Sequence, residues 1–258
     1  MGKVICIASE KGGTGKTTTA VNLAVSLSLI EKQTLLIDCD PQGSATLSLG
    51  IDKKDLSFDL YHSLIGKAKI KNCILNSDLS FLRILPTRFN LMKLESIVST
   101  KINKEKILFD LIKNFIDDYD YIIIDSPPAL GFLALCSIVA SEWLIITMQP
   151  QYNIFESLGH ILLMVRQIRK KLNPRLKICG IVFTMCKKTN EFSSIIPIEL
   201  KKYIFSTIIP YDELIGNFNL DKPILLYNVM ADSSKAYLNL TSELLQILEK
   251  SKVSDNSD

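Results

Sequence analysis

The feature that most limits the fold of this chain is a regular alternation of two kinds of segment. Short apolar runs alternate with longer segments in which apolar residues recur at helical spacing. The short runs are apolar on both faces, which is typical of strands buried in a parallel sheet. The predicted strands span 4–9, 34–40, 81–86, 121–125, 143–148, 176–184 and 206–210. The predicted helices span 16–30, 104–116, 132–140, 154–171, 192–203 and 234–250.

This alternation predicts an α/β fold with a mainly parallel, twisted sheet flanked by helices. No linker rich in Pro, Gly or Ser and no internal repeat divides the 258 residues, so we expect one domain over 1–250. The polar remainder, 251–258, is predicted to be a disordered tail. The six cysteines have no C-x-x-C spacing and lie mostly in apolar runs, which indicates reduced, buried thiols rather than a metal site.

A glycine-rich loop joins the first predicted strand to the first predicted helix. Residues 9–19 read SEKGGTGKTTT. The usual phosphate-loop pattern, G-x-x-x-x-G-K-[ST], requires glycine where this chain has Glu10, and it has one lysine where this chain has Lys11 and Lys16. The position between a strand and a helix still favours an anion site, because backbone N–H groups and the helix N-terminus converge there. The loop therefore predicts a single-domain P-loop NTPase-like fold.

The loop contains the residue types that a nucleotide and Mg²⁺ require. Glycines allow the backbone to approach phosphate without obstruction by Cβ. Lys16 would lie between the β- and γ-phosphates, and the Thr17 hydroxyl would ligate Mg²⁺. A glycine-rich turn without a ligand is the alternative interpretation. The loop residues predicted to bind nucleotide are Lys11, Gly12, Gly13, Thr14, Gly15, Lys16, Thr17 and Thr18.

Three aspartates lie at the carboxyl ends of two further predicted strands. In LLIDCDPQG, Asp38 and Asp40 are two positions apart, so they share one side of the strand. In YIIIDSPP, Asp125 ends an apolar run. Open α/β sheets bind ligands at this end of their strands, and an acid there assists Mg²⁺ binding in P-loop NTPases. Asp125 is therefore predicted to belong to the nucleotide site, with a helix N-cap as the alternative.

The segments KGGTGKTT, LLIDCDPQGSAT and YIIIDSPPALG, in this order and spacing, resemble the ParA/Soj branch of the deviant Walker A partition ATPases. The wider family includes the MinD proteins. The likeness continues through QPQYNIFESLG, STIIP and the segment that begins KPILLYN, so it covers nearly the whole chain. The resemblance implies a slow, Mg²⁺-dependent ATPase that forms a homodimer when ATP binds. It also implies that 40–46 and 125–131 are switch segments that respond to the γ-phosphate.

The same resemblance implies roles for individual residues. Lys11 would reach across the dimer to the partner's phosphates; the alternatives are that it contacts its own subunit's nucleotide or lies on the surface. Asp40 would orient the attacking water. Asp38 would either support the metal through water or hold its loop. Pro210 matches the region that lines the adenine base.

The charge distribution bears on what the ATP cycle controls. Ten basic and only two acidic residues lie between Arg166 and Lys202. The resemblance implies partition, in which the ATP-bound dimer binds DNA non-specifically and a ParB-like partner stimulates hydrolysis. The basic segment supports DNA binding, because lysine and arginine contacts to phosphate supply affinity that is independent of sequence; a solvated surface is the alternative. The candidate DNA contacts are Lys187, Lys188, Lys201 and Lys202. One departure counts against DNA binding at a position common in the family: many members have arginines in a stretch resembling IPRNVRLSEA, whereas this chain has IPYDELIGNF with Asp212 and Glu213.

Two other outputs are alternatives. A MinD-like positioning ATPase could act at a membrane or on a protein partner, but membrane binding calls for a basic amphipathic C-terminal helix. The last predicted helix contains Glu243 and Glu249, so we expect no membrane binding. An ATP-dependent metabolic enzyme on the same fold is the third reading. The first strand pattern begins at residue 4 without a signal segment, and we expect a cytoplasmic protein that could associate with the nucleoid.

Overall fold

A sheet of seven strands forms the centre of the molecule in this computed structural model, which describes residues 2–150, 154–187, 198–217 and 222–255. The strands are β1 (Lys3–Ala8), β2 (Thr34–Asp38), β3 (Leu75–Asn76), β4 (Leu82–Leu85), β5 (Tyr121–Asp125), β6 (Trp143–Met148) and β7 (Lys177–Phe183). Their order is β3-β4-β2-β5-β1-β6-β7. Only the short edge pair β3–β4 is antiparallel among these strands. The predicted mainly parallel α/β fold is confirmed.

Helices cover both faces of the sheet. They are α1 (Lys16–Leu29), α2 (Ser44–Ser48), α3 (Leu60–Leu64), α4 (Leu94–Ile97), α5 (Ile107–Ile112), α6 (Phe132–Val139), α7 (Ile154–Lys171), α8 (Ile198–Lys201), α9 (Glu213–Asn217), α10 (Ile224–Tyr227) and α11 (Asp232–Asp255). Short 3₁₀ turns occupy 70–72, 89–93, 104–106 and 116–118. Within the described ranges, none of these helices combines the length and apolar character needed to cross a bilayer.

The core consists of two apolar layers because successive side chains of each strand point to opposite faces of the sheet. In β1, Val4 and Cys6 pack into the layer that contains α6 and α7. Ile5 and Ile7 pack into the other layer, which contains α1 and α11. All four side chains are buried. Burial on both faces explains why the central strands are continuous apolar runs.

The parallel registers bring the predicted site residues to one edge of the sheet. β5 lies between β1 and β2, and Asp125 pairs in register with both Ile7 and Asp38. The loop after β1 and the aspartates that end β2 and β5 are therefore neighbours. This edge is the carboxyl end of the strands, where open α/β sheets bind ligands.

Several segments differ from the sequence prediction. The predicted helix 104–116 is a 3₁₀ turn followed by the shorter α5, and the predicted helix 192–203 lies mostly outside the described residues. The last helix continues to Asp255 and so enters the segment predicted as a tail. Extending an existing helix is easier than nucleating one, which accounts for this extension.

The segment predicted as strand 206–210 forms no regular strand. In the described chain two isolated bridges flank it: Ile204, just before the segment, pairs with Ile181 of β7, and Pro210 pairs with Cys186, which follows β7. The N–H groups of Ser206 and Thr207 donate instead to the carboxylate of Glu243 on α11. A side chain from another element therefore replaces a sheet neighbour, and apolar periodicity does not indicate such a replacement.

Candidate nucleotide site

The loop between β1 and α1 has a backbone conformation that glycine readily adopts. Gly13 and Gly15 adopt φ values of 73° and 74°, in the left-handed region that side chains with a Cβ rarely occupy. Gly15 immediately precedes the first residue of α1, a helix of 14 residues. The unpaired N–H groups of this helix terminus face the loop, which makes the position suitable for an anion.

Lys16 is buried and lies across the loop. Its Nζ donates to Ser9 Oγ at 2.9 Å and to the carbonyl oxygen of Lys11 at 3.0 Å. Burial lowers the pKa of Lys16, while the charges of Asp125 and Asp40 act in the opposite direction. The Thr14 hydroxyl lies 2.6 Å from that of Ser9 and so completes the network. The loop thus holds a cation against its own backbone, ready to meet phosphate oxygens.

Asp38 is fully buried, and its carboxylate is used to hold the following loop. Oδ2 accepts hydrogen bonds from the Thr46 N–H at 2.8 Å and the Thr46 hydroxyl at 2.7 Å, and Oδ1 accepts from the Asp40 N–H at 3.2 Å. Burial raises the pKa of Asp38 to about 7, although these hydrogen bonds favour the charged form. Of the two roles considered for Asp38, this geometry favours holding the loop.

Asp125 is buried like Asp38 but differs from it in hydrogen bonding. It is fully buried, and neither carboxylate oxygen has a well-formed hydrogen bond among the described residues, although the Thr17 hydroxyl lies near enough to favour its charged form. Burial, followed by the nearby charge of Asp38, raises its pKa well above the usual range, whereas Thr17 and Lys16 favour the charged form. An unpaired buried carboxylate is unfavourable unless a ligand or proton satisfies it.

The residues present fit a magnesium ion that is shared with a nucleotide. Asp125 and the nearby Thr17 hydroxyl supply the hard oxygen ligands that Mg²⁺ prefers. The described residues contain no cluster of three or more His, Cys, Asp or Glu side chains placed to hold a metal unaided. Mg²⁺ is commonly bound by one or two carboxylates together with substrate phosphates, and this site suits that mode of binding.

The loop that follows β2 is tightly bonded. Asp40 is largely buried, and its Oδ1 accepts the Gln42 N–H at 2.9 Å. Gly43 has a φ of 63°, and Lys53 Nζ donates to the carbonyl oxygen of Gln42 at 2.6 Å. At the far end, the N–H of Thr87 after β4 donates to the Thr46 hydroxyl at 3.2 Å. These contacts hold the Asp40 carboxylate close enough to Lys16 to influence its pKa.

A cavity of about 140 Å³ adjoins the loop at the start of α1. Gly15 and Thr18 line one side, and Pro210 and Tyr211 line another. Thr184 also lines the cavity and donates its hydroxyl to the Thr14 carbonyl oxygen at 2.9 Å. The predicted base-contacting residue, Pro210, therefore lies beside the phosphate loop, as an adenine contact would require.

Comparisons with known proteins agree with this geometry. Residues 2–178 match the family described as "AAA domain". The chain is 35% identical over 251 residues to the chromosome partitioning protein ParA of Myxococcus xanthus, covering 95% of this chain and 89% of that protein. It is 36% identical over 249 residues to the sporulation initiation inhibitor protein Soj of Bacillus subtilis, covering 95% and 98%.

The chain belongs to the ParA/MinD family of partition ATPases. A solved structure from the same family, the septum site-determining protein MinD of Pyrococcus horikoshii complexed with Mg-ADP, matches with a TM-score of 0.78 at 26% identity. The match covers 95% of this chain and 96% of that one. The resemblance drawn from the three sequence motifs is therefore confirmed, and ATP binding and chromosome partitioning are the properties that the family indicates.

Lys11 is the additional lysine of this ParA/MinD loop, and its surroundings differ from those of Lys16. Its side chain is exposed, while its carbonyl oxygen accepts hydrogen bonds from Ser9 and Lys16. An exposed cation on a fixed backbone could meet a partner subunit or lie on the surface. The trans role of Lys11, like the individual roles of Asp40 and Pro210, stays a prediction.

One contact in this loop was not expected from the sequence. Glu10, which stands where the usual motif has glycine, lies with its Oε1 2.5 Å from Nδ1 of His160 on α7. Their hydrogen bond lowers the pKa of Glu10 and raises that of His160. The Glu10 carbonyl oxygen also accepts the N–H of Ala129, within the predicted switch at 125–131. Residue 160 is far away in the sequence, so only the fold reveals this pair.

The basic segment is only partly free to contact DNA. Arg169 Nε donates to the carbonyl oxygen of Leu176 at 2.6 Å, and Lys177 Nζ lies 5.3 Å from the centre of the Trp143 ring. The candidate contacts Lys187, Lys201 and Lys202 are exposed, and Lys188 lies outside the described residues.

Of the two acids in IPYDELIGNF, Asp212 has a structural function. Its Oδ1 accepts the N–H of Leu214, and its Oδ2 accepts the hydroxyl of Ser233. Glu213 is exposed. Of the two acids that stand in this stretch, Asp212 therefore connects α9 with α11, and Glu213 is a surface carboxylate.

Proposed function

We propose that this chain is an ATP-dependent dimerisation switch with slow hydrolysis that acts in chromosome or plasmid partitioning. The observation that carries the proposal is the buried carboxylate of Asp125, which has no well-formed hydrogen bond among the residues described and lies in register with Asp38 beside the glycine-rich loop. Two relatives support a role in partitioning: a chromosome partitioning protein ParA at 35% identity and a protein Soj at 36% identity. The proposed location is the cytoplasm, with association to the nucleoid through DNA.

The chemistry proposed for the site uses charge neutralisation and positioning, without a covalent intermediate. Lys16 would exchange its contacts with Ser9 and Lys11 for phosphate oxygens. Thr17 and Asp125 would hold Mg²⁺, which when bound neutralises charge on the phosphates. Asp40 would orient the attacking water.

Lys11 would add a second cation from the partner subunit. A cation that arrives only with the partner stabilises the charge developing on the γ-phosphate only in the dimer. ATP binding, dimerisation and hydrolysis would thereby be coupled. Hydrolysis would reset the switch, and a ParB-like partner would accelerate that step.

Non-specific duplex DNA is the proposed track of the ATP-bound dimer. The exposed lysines at 187, 201 and 202 support this, because lysine–phosphate contacts supply affinity that is independent of sequence. Each such contact contributes about −0.9 to the slope of log affinity against log salt concentration. We therefore expect ATP-dependent binding that weakens steeply as salt increases.

The test measures dimerisation by light scattering and DNA binding by anisotropy, with ATP, ADP or no nucleotide, over a salt series. We expect a double variant, Lys201→Ala with Lys202→Ala, to reduce the salt slope by about two. The matched control replaces two exposed lysines elsewhere, Lys67 and Lys69, with alanine and is expected to retain the slope. A protein that shows no ATP-dependent dimer would refute the proposal.

A second candidate is a positioning ATPase whose dimer acts on a protein or membrane partner. The exposed Glu213, in the stretch where relatives have arginines, favours it because a surface carboxylate repels phosphate. ATP-dependent dimerisation without DNA binding at any salt concentration would select this candidate. The metabolic-enzyme alternative has no comparable observation in its favour.

A further inference from the structure

The carboxylate of Glu243 on α11 binds two consecutive backbone N–H groups. Oε1 accepts from Ser206 at 2.7 Å, and Oε2 accepts from Thr207 at 3.0 Å. A carboxylate suits this arrangement because both of its oxygens accept and neither donates. Hydrogen bonds to a charged acceptor are also stronger than neutral ones.

These two N–H groups lie where the chain is not bonded to the sheet. On one side, the N–H of Phe205 donates to the Ile181 carbonyl oxygen at 2.9 Å. On the other side, the N–H of Ile209 donates to the Phe183 carbonyl oxygen at 2.9 Å. Glu243 thus supplies the hydrogen bonds between two points at which the segment contacts β7. The next residues, Pro210 and Tyr211, line the cavity beside the phosphate loop.

The same helix contacts this cavity at two further places. The Ser233 hydroxyl donates to Oδ2 of Asp212 at 2.5 Å, and Asp212 is a lining residue. Tyr237 also lines the cavity and is buried, with its hydroxyl 3.5 Å from that of Thr19 on α1. Ser233, Tyr237 and Glu243 are therefore three points at which α11 contacts the cavity wall or the segment leading to it.

We propose that α11 sets the shape of the base-binding cavity and that Glu243 is a positioning residue for nucleotide selectivity. The inference rests on the proposed function, in which this cavity takes the base of ATP. Without the carboxylate, two N–H groups lose their acceptor, and the segment carrying Pro210 and Tyr211 relaxes. The contacts of Lys16 within the phosphate loop involve none of these residues, so phosphate binding is unaffected.

The experiment separates base recognition from phosphate recognition. Calorimetry measures the affinities of the full chain for ATP, GTP and inorganic tripolyphosphate, each with Mg²⁺. The variants are Glu243→Ala and Glu243→Gln, and the control is Glu249→Ala, an exposed glutamate on the same helix. Circular dichroism and melting curves check folding, and Glu243→Gln, which retains one acceptor oxygen, serves if the alanine variant does not fold.

We expect Glu243→Ala to bind ATP roughly tenfold more weakly than wild type, since two charge-assisted hydrogen bonds to the segment are lost. The ratio of ATP to GTP affinity should fall, while tripolyphosphate affinity stays unchanged. Glu243→Gln should fall between wild type and Glu243→Ala, and Glu249→Ala should equal wild type.

Equal losses of ATP and tripolyphosphate affinity would show a general structural effect and overturn the inference. Unchanged ATP affinity and an unchanged ATP to GTP ratio in a folded Glu243→Ala protein would also overturn it. If the wild-type protein binds tripolyphosphate, ATP and GTP with equal affinity, base binding in this cavity would be refuted. A wild-type protein that binds none of the three would refute the proposed function itself.

Discussion

The two ends of the candidate nucleotide site are constructed in different ways. The phosphate end consists of neighbours in sequence: Lys16 contacts Ser9 and the Lys11 backbone within one loop. The base end joins distant segments, because Pro210 is positioned by a segment that Glu243 holds from α11. The contacts within the loop fix its own conformation, whereas the conformation of the base end depends on how the C-terminal helix α11 packs. The phosphate end should therefore tolerate changes in α11 that alter the base end.

The largest expected effect is the loss of phosphate binding in Lys16→Ala. This variant removes the buried cation from the loop, so affinity should fall roughly a hundredfold or more for ATP and tripolyphosphate alike. Calorimetry with both ligands measures the two affinities. The comparison between the two ends would fail if tripolyphosphate affinity were retained, since Lys16 would then not serve the phosphates.

Lys11→Ala tests the exposed part of the same end. If Lys11 acts across the dimer, the variant should lose the ATP-dependent dimer, by roughly tenfold or more in dimer affinity, while it still binds nucleotide. Light scattering with ATP provides the measurement. A variant that dimerises like wild type would remove the trans role.

Asp40→Ala should instead accumulate the ATP-bound dimer, and full ATPase activity in that variant would contradict the assigned role of Asp40.

The buried carboxylates should make the stability of the metal-free protein depend on pH. A folded-state pKa raised above the unfolded value adds stability that is present at low pH and lost as pH rises through the folded pKa. For Asp38 the window runs from the ordinary value of 3.8 to about 7, and the raised pKa of Asp125 acts in the same direction. We expect this loss of stability, at most about 1.4 kcal/mol per pH unit for one group, to be smaller in Asp125→Asn. Urea unfolding at several pH values, without Mg²⁺ or nucleotide, measures it. An identical pH profile for both proteins would contradict the assigned environment of Asp125.

The smallest expected effect concerns the base end. Ser233→Ala removes one hydrogen bond to Asp212 and leaves Glu243 in place. A single hydrogen bond of this kind contributes about 1 kcal/mol, so ATP affinity should fall at most about fivefold, with tripolyphosphate affinity unchanged. Calorimetry with both ligands provides the test. A larger loss than that of Glu243→Ala would show that Ser233, rather than Glu243, is the main contact between α11 and the cavity.

Prediction from sequence succeeded where local pattern and strand order decide the result. The apolar runs predicted six of the seven strands, and the glycine-rich loop was predicted to lie between the first strand and the first helix, where β1 and α1 flank it. The two-residue β3 was missed because it is too short to have a period. The segment 206–210 has a strand composition, but its N–H groups are taken by Glu243.

The sequence by itself determined the α/β class, the family and the position of the glycine-rich loop between the first strand and the first helix, because periodicity and a contiguous motif carry that information. The tertiary structure decided how the site residues differ from one another. Only the fold shows that both oxygens of Asp38 accept hydrogen bonds while Asp125 has no well-formed hydrogen bond within the described part of the chain, although both are buried aspartates at strand ends. It also decided the pairing of Glu10 with His160 and of Glu243 with the segment before Pro210. Such contacts depend on which side chains converge when helices pack on a sheet, and spacing along the chain does not contain that information.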